Sequence, residues 1–203
     1  MRRSTPLLLI ALVTSLVAPA QAGDSSTLVR MLDDGSMRFA PKTVAVPMGT
    51  QVLWRNDGNL RHTTTTLTRY PTSWDRNLAP DASYAKRFSF AGSFPYFCSL
   101  HSNGTNGMVG TLRIPLRISP VTGSTSTAFT VRVATEAPPS GWAFEVQRRI
   151  GSGTWQTIRN RLEARTMTYR STTRGTHGFR ARLERISPAL SHRFSPLESI
   201  SIS

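Results

Sequence analysis

Phe94-Pro95-Tyr96-Phe97-Cys98-Ser99-Leu100-His101, continued by Ser102-Asn103-Gly104-Thr105-Asn106-Gly107-Met108-Val109-Gly110, is the stretch on which the reading of this chain turns. Residues 94–98 read as a strand, the Asn-Gly pairs that follow as turn residues, and Val109 as the opening of another strand. A strand that delivers a thiol, a tight turn that returns an imidazole three residues later, and a thioether at the start of the next strand can meet at one point. Cys98, His101 and Met108 therefore share one loop, and a metal held there needs one more donor. His62 stands 36 residues before Cys98, between the loop 56–61 and the run Thr63-Thr64-Thr65-Thr66. An antiparallel sandwich can return it to the same end.

Outward from this loop, short alternating or β-branched runs recur between turn residues, and helical periodicity is nearly absent, which predicts an all-β protein. Strands are expected at 27–32, 43–46, 51–55, 62–67, 85–90, 94–98 and 109–114, broken at Pro47, Gly49, Asp57-Gly58, Ala79-Pro80 and Gly92. Beyond residue 116 the character changes: Ser and Thr become frequent, and neither a cysteine nor a methionine cluster follows. Further strands are expected at 128–134, 143–149, 154–158, 167–170, 178–185 and 197–202, enough for one small sandwich. The expected organisation is a leader over 1–22, a first domain over 23–116 and a second over 117–203.

The leader reads as a secretory signal, with Arg2-Arg3, an apolar stretch from Leu7 to Val17 and the small-residue cleavage site Ala20-Gln21-Ala22. It lacks the cysteine that lipid attachment would use, and no later stretch reaches the roughly 20 apolar residues of a membrane span. The expected location is extracellular or periplasmic. In such an oxidising compartment cysteines normally pair, yet Cys98 is the only one. It is a free thiol, half of an intermolecular bridge, or a metal ligand. The net charge of +14 rests on 23 Arg, with Lys only at 42 and 86. The charges are scattered and no aromatic-rich basic motif accompanies them, so nucleic acid is not an expected partner.

Two imidazoles and a thiolate in a trigonal set, with a weak axial thioether, suit copper cycling between its two oxidation states. Sulfur favours the reduced ion and imidazole tolerates both. Ligation by a metal would also explain the unpaired Cys98. His177 and His192, among polar residues far downstream, read as surface histidines, and Trp54, Phe88, Phe90, Phe94 and Tyr96 as core aromatics. No acid pair or nucleophile relay is recognisable, so an enzyme is not expected. Neither the His-x-His pairs of a multicopper oxidase nor histidines for a second copper site, as in copper nitrite reductase, are present.

Over roughly residues 24–115 the chain resembles the plastocyanin-like cupredoxins. The likeness is carried by Phe39-Ala40-Pro41, Val44-Ala45-Val46-Pro47-Met48-Gly49-Thr50, Val52-Leu53-Trp54-Arg55-Asn56, His62-Thr63, Phe88, Gly92 to Cys98, His101 and Met108-Val109-Gly110. It implies His62, Cys98 and His101 as strong ligands of one type 1 copper ion, with Met108 axial. Six residues separate His101 from Met108 where plastocyanins have four. Thr63 replaces the Asn that in many relatives braces the ligand loop, so its hydroxyl is expected to take that role. Leu100 stands where plastocyanins carry proline, so its N–H is expected to donate to the Cys98 sulfur.

Residues 117–203 resemble a fibronectin type III module through Phe129-Thr130-Val131-Arg132-Val133, Trp142 to Arg149, Gly153-Thr154-Trp155 and Thr176 to Leu183. Trp142, Phe144, Trp155 and Phe179 are expected in or near its core. The expected fold is a cupredoxin Greek-key β-sandwich followed by a smaller immunoglobulin/fibronectin III-like β-sandwich. This second part holds 13 Arg against five Glu, which points to an acidic wall or surface component as a partner. The leading function is one-electron transfer with a redox protein, by a monomer. A copper carrier without a redox circuit and a two-sandwich recognition protein remain alternatives.

Overall fold

The computed structural model describes residues 26–67 and 72–203. The leader expected at residues 1–22 lies outside the described residues. Every named element is a strand: Ser26–Leu32 (β1), Arg38–Ala40 (β2), Thr43–Ala45 (β3), Gln51–Asn56 (β4), His62–Thr66 (β5), Asp75–Leu78 (β6), Ser83–Arg87 (β7), Gly92–Ser102 (β8) and Gly107–Ile114 (β9) build the first half. Arg117–Ser119 (β10), Thr122–Gly123 (β11), Phe129–Arg132 (β12), Trp142–Ile150 (β13), Gln156–Leu162 (β14), Thr166–Tyr169 (β15), Gly175–Arg185 (β16), Leu190–Ser191 (β17) and Glu198–Ile202 (β18) build the second. Among the described residues no helix is long and apolar enough to cross a membrane.

The first sandwich packs the sheet β2-β1-β4-β7 against β3-β9-β8-β5-β6. Period-two alternation decides what goes inside. In β4 it buries Val52, Trp54 and Asn56, and in β8 it buries Gly92, Phe94, Tyr96 and Cys98. Trp54 lies at the centre, 5.3 Å from the Trp74 ring and 5.6 Å from Tyr96. The second sandwich pairs β10-β12-β15 and β11-β18-β16-β13-β14, with β17 on the side of β16. The short strands β2, β6, β10, β11 and β17 were not expected from sequence, because two to four residues are too few to show a period.

The two sandwiches are joined by more than their linker. Phe90 bridges to Ala134 and Ser93 to Arg193, and the Ala91 and Thr135 N–H groups donate across to Val133 and Ser89 carbonyls, each at 2.9 Å. Phe90 packs on Phe144 with ring centres 5.8 Å apart. His192 sits between Phe94 and Trp142, at 5.1 and 5.9 Å.

Three expectations are corrected here. His192 is not a surface residue but is buried in this junction, and burial pushes its pKa down to about 3. His177 is also buried: its Nε2 donates to the Thr173 carbonyl at 3.0 Å, and its Nδ1 accepts from the Tyr169 hydroxyl at 2.7 Å. The cause is strand phase, since His177 shares the inward face of β16 with Phe179, Ala181 and Leu183. Trp155, expected in or near the core, instead lies half-buried under arginine side chains.

Candidate metal centre

The site forms where β5 begins and β8 ends. Alternation along β8 carries Cys98 inward in phase with Phe94 and Tyr96, and leaves its thiol fully buried. β5 runs antiparallel to β8, with Thr65 opposite Phe97 and Thr66 opposite Tyr96, so following β5 back from Thr65 brings His62 level with the end of β8. The β8–β9 ladder loses its register between Phe97 and Ser102, and the extra residues carry His101 out of the regular strand. Gly107 closes that loop at φ +88°, and a Cβ there would stand 2.5 Å from the His101 carbonyl oxygen, so the position requires glycine.

These elements bring His62, Cys98 and His101 together, with their donor atoms all within 4.8 Å of one another. His62 Nδ1 lies 3.1 Å from His101 Nδ1, and Cys98 Sγ is 3.4 Å from His101 Nδ1 and 3.9 Å from His62 Nδ1. Val109 pairs with Phe97 in an antiparallel ladder, so Met108 comes just before that pair on β9 and Cys98 just after it on β8; both side chains are inward and fully buried. His62 and Cys98 are closed to solvent, while His101 is partly exposed. Burial first, and the neighbouring His101 second, hold the His62 pKa below the ordinary histidine value, with Asp33 opposing.

The surrounding hydrogen bonds fix the geometry. Thr63 takes the bracing role expected of it: its Oγ1 accepts the Ser99 N–H at 2.7 Å and lies within hydrogen-bond distance of Ser99 Oγ and Thr65 Oγ1. The N–H that reaches the Cys98 sulfur is that of Thr63, at 3.2 Å, and not that of Leu100, which the sequence favoured. β5 lies directly beside the thiol, whereas Leu100 is exposed in the irregular end of β8. The loop before His62 is clamped by buried Asn56, whose Nδ2 donates to the Leu60 and Leu78 carbonyls and whose Oδ1 accepts the Gly58 N–H. Asp33 Oδ2 accepts the Asn59 and Leu60 N–H groups, each at 2.8 Å. No spacing rule could find Asp33, which reaches the site from the end of β1.

A buried thiol flanked by two imidazole nitrogens, with a thioether next in register, is a donor set suited to a single copper ion. No family model matches the chain. Among curated proteins it is similar to the chloroplastic plastocyanin of Tetradesmus obliquus, 33% identical over 87 residues that make up 38% of this chain and 59% of that protein. It is also similar to the plastocyanin of Scenedesmus fuscus, 29% identical over 91 residues, 40% of this chain and 91% of that protein. The first sandwich has a cupredoxin-like fold. Solved structures similar to the chain include a purple cupredoxin from Nitrosopumilus maritimus, with 20% identity and a TM-score of 0.37 over 43% of this chain and 97% of that one. Another is the copper-containing nitrite reductase NirK from Thermus scotoductus, with 23% identity and a TM-score of 0.39 over 52% of this chain and 27% of that one. The chain thus spans 59% of the length of the first plastocyanin it matches, and the matching stretch accounts for 38% of this chain.

Proposed function

We propose that this protein is an exported one-electron carrier in which His62 Nδ1, Cys98 Sγ and His101 Nδ1 hold one copper ion, with Met108 as the axial donor. The observation that carries this reading is the enclosed thiol set between two imidazoles, one buried and one reaching the surface. When bound, copper supplies the one-electron couple. The chain's residues hold a geometry acceptable to both oxidation states: Asn56 and Asp33 fix the loop that orients His62, and Thr63 ties β5 to the turn after Cys98. Leu60 and Leu100, two residues before His62 and one before His101, are exposed, and a redox protein would dock over them, bringing its electron to the imidazole edge. No substrate is transformed.

In this reading the protein is a secreted or periplasmic monomer with domains over 23–116 and 117–203. The second is a fibronectin type III-like sandwich. The strand order β10-β12-β15 facing β18-β16-β13-β14 supports that kinship.

Copper(II) titrated into the mature protein is expected to saturate at one equivalent and to raise an intense thiolate-to-copper band at roughly 600 nm. Fast electron self-exchange should accompany slow loss of the metal to a chelator. Rapid loss to the chelator would instead identify a copper carrier, and absence of binding would remove the copper reading.

A further inference from the structure

The outward face of β13 and β16 carries a ladder of arginines and aromatic rings. The Arg149 guanidinium lies 4.9 Å from the centre of the Trp155 ring, Arg180 lies 4.2 Å from both Trp155 and Phe194, and Arg182 lies 4.4 Å from Phe194. Residues from β13, the connection that follows it, β16 and the stretch after β17 thus form five alternating rungs. The sheet satisfies part of this charge. Gln147 Oε1 accepts from Arg180 Nε and Nη2, and buried Glu145 Oε2 accepts from Arg182 Nε and Nη2, at 2.7 and 2.6 Å. The Arg149 guanidinium makes no hydrogen bond among the described residues. Its N–H groups, and the Nη1 groups of Arg180 and Arg182, remain unspent on planes that stacking has already fixed.

We propose that this face binds a linear acidic polysaccharide whose carboxylates take the rungs as Glu145 takes Arg182. Charge complementarity points that way, since residues 117–203 hold 13 Arg and five Glu, and Glu145 is the ladder's one internal anion. A chain-like ligand suits the face better than a folded protein does. The rungs form a stripe, and the aromatic faces that would supply the apolar centre of a protein interface are already occupied by guanidinium groups.

Polygalacturonate titrated into the full mature chain is expected to bind, more tightly at low ionic strength than at physiological salt. An Arg149→Gln, Arg180→Gln double variant should bind about tenfold more weakly, with a salt dependence reduced by roughly one counterion for each arginine removed. Arg117→Gln with Arg132→Gln, which removes the same charge from exposed positions on the opposite sheet, should change affinity less than about twofold. Circular dichroism and melting would establish that both variants fold. Equal weakening by the two pairs, or no binding by the parent, overturns the proposal. Equally tight, ladder-dependent binding of poly-glutamate overturns it in favour of an acidic protein segment.

A separate observation concerns Asp33 and rests on the copper reading above. A histidine that gives Nδ1 to a metal carries its proton on Nε2, and His62 Nε2 is buried without a hydrogen-bond partner. Asp33 Oδ2 lies 3.7 Å from it, in a carboxylate only 9% exposed. The Asn59 and Leu60 N–H groups aim that carboxylate, and Gly58 makes room for it, since a Cβ there would stand 2.7 Å from Asp33. We infer that Asp33 is a positioning residue. A contraction of a few tenths of an ångström would let it accept the Nε2 proton, orient the ring and make Nδ1 a stronger donor.

Asp33→Asn keeps an acceptor for the loop N–H groups and removes the charge. Its copper form is expected to show a higher midpoint potential, read from the visible band in a redox titration, and about tenfold faster loss of copper(II) to a chelator. Asp33→Ala should additionally lower the melting temperature of the metal-free protein. A parent with the band and an Asp33→Asn variant of unchanged potential and loss rate overturns this role alone. A parent without the band overturns the copper reading and this role with it.

Discussion

A Cys98→Ser protein supplied with copper(II) is expected to show no band near roughly 600 nm, while remaining folded. The band requires charge transfer from a thiolate, and Cys98 is the sole cysteine. His62, His101 and Met108 survive the substitution, so copper should still bind, more weakly and almost without colour. The serine hydroxyl is nearly the same shape as the thiol and can accept the Thr63 N–H that now reaches sulfur. Loss of stability in the metal-free protein should therefore stay within about 1–2 kcal/mol, the usual scale for placing a hydroxyl in a mostly apolar site. Absorption and circular dichroism on the same sample separate loss of the ligand from loss of the fold. A Cys98→Ser protein that keeps an intense band would exclude a thiolate–copper centre.

The contrast between Cys98 and Asp33 shows what the sequence could disclose. Cys98, His101 and Met108 share a loop, so their juxtaposition needs only a strand, a turn and a strand, each with its own local signal. His62 required one further assumption, an antiparallel sandwich, which the alternation of the surrounding runs supplied. Asp33 has no local signal: its place beside His62 follows from β1 lying parallel to β4 in the opposing sheet. The same limit explains the two downstream histidines. His177 could have been found, because Phe179, Ala181 and Leu183 continue its phase on β16. His192 could not, because it lies in a junction whose partners, Phe94 and Trp142, are 98 and 50 residues away in the chain. The Thr63 N–H was missed for a related reason. A motif comparison looks along the ligand loop, and the donor comes from the neighbouring strand.

Acid should weaken the junction between the sandwiches through His192. Its ordinary pKa of 6.5 falls to about 3 on folding because the imidazole is buried, so between these values the unfolded chain binds a proton that the native one excludes. Stability is then unaffected by this group above pH 6.5 and falls as pH drops below it, by up to about 1.4 kcal/mol per pH unit. From pH 8 to pH 5 the loss should reach about 2 kcal/mol. Burial lowers the pKa of His177 as well, adding to the slope with the same sign, whereas burial raises those of Glu184 and Glu198 and opposes it, so the contribution of His192 is read from the difference between the parent and a variant. His192→Phe removes the titrating group and leaves an aromatic ring between Phe94 and Trp142. Denaturant unfolding of the two proteins in the same metal state should give similar stability at pH 8, with the variant about 2 kcal/mol the more stable at pH 5. Parallel pH profiles would mean that His192 accepts its proton in the folded chain as readily as in the unfolded one, without opening the junction. Because β8 carries Phe94 into that junction and Cys98 into the metal centre four residues later, the expected profile also makes the second sandwich part of what holds the ligand strand in place.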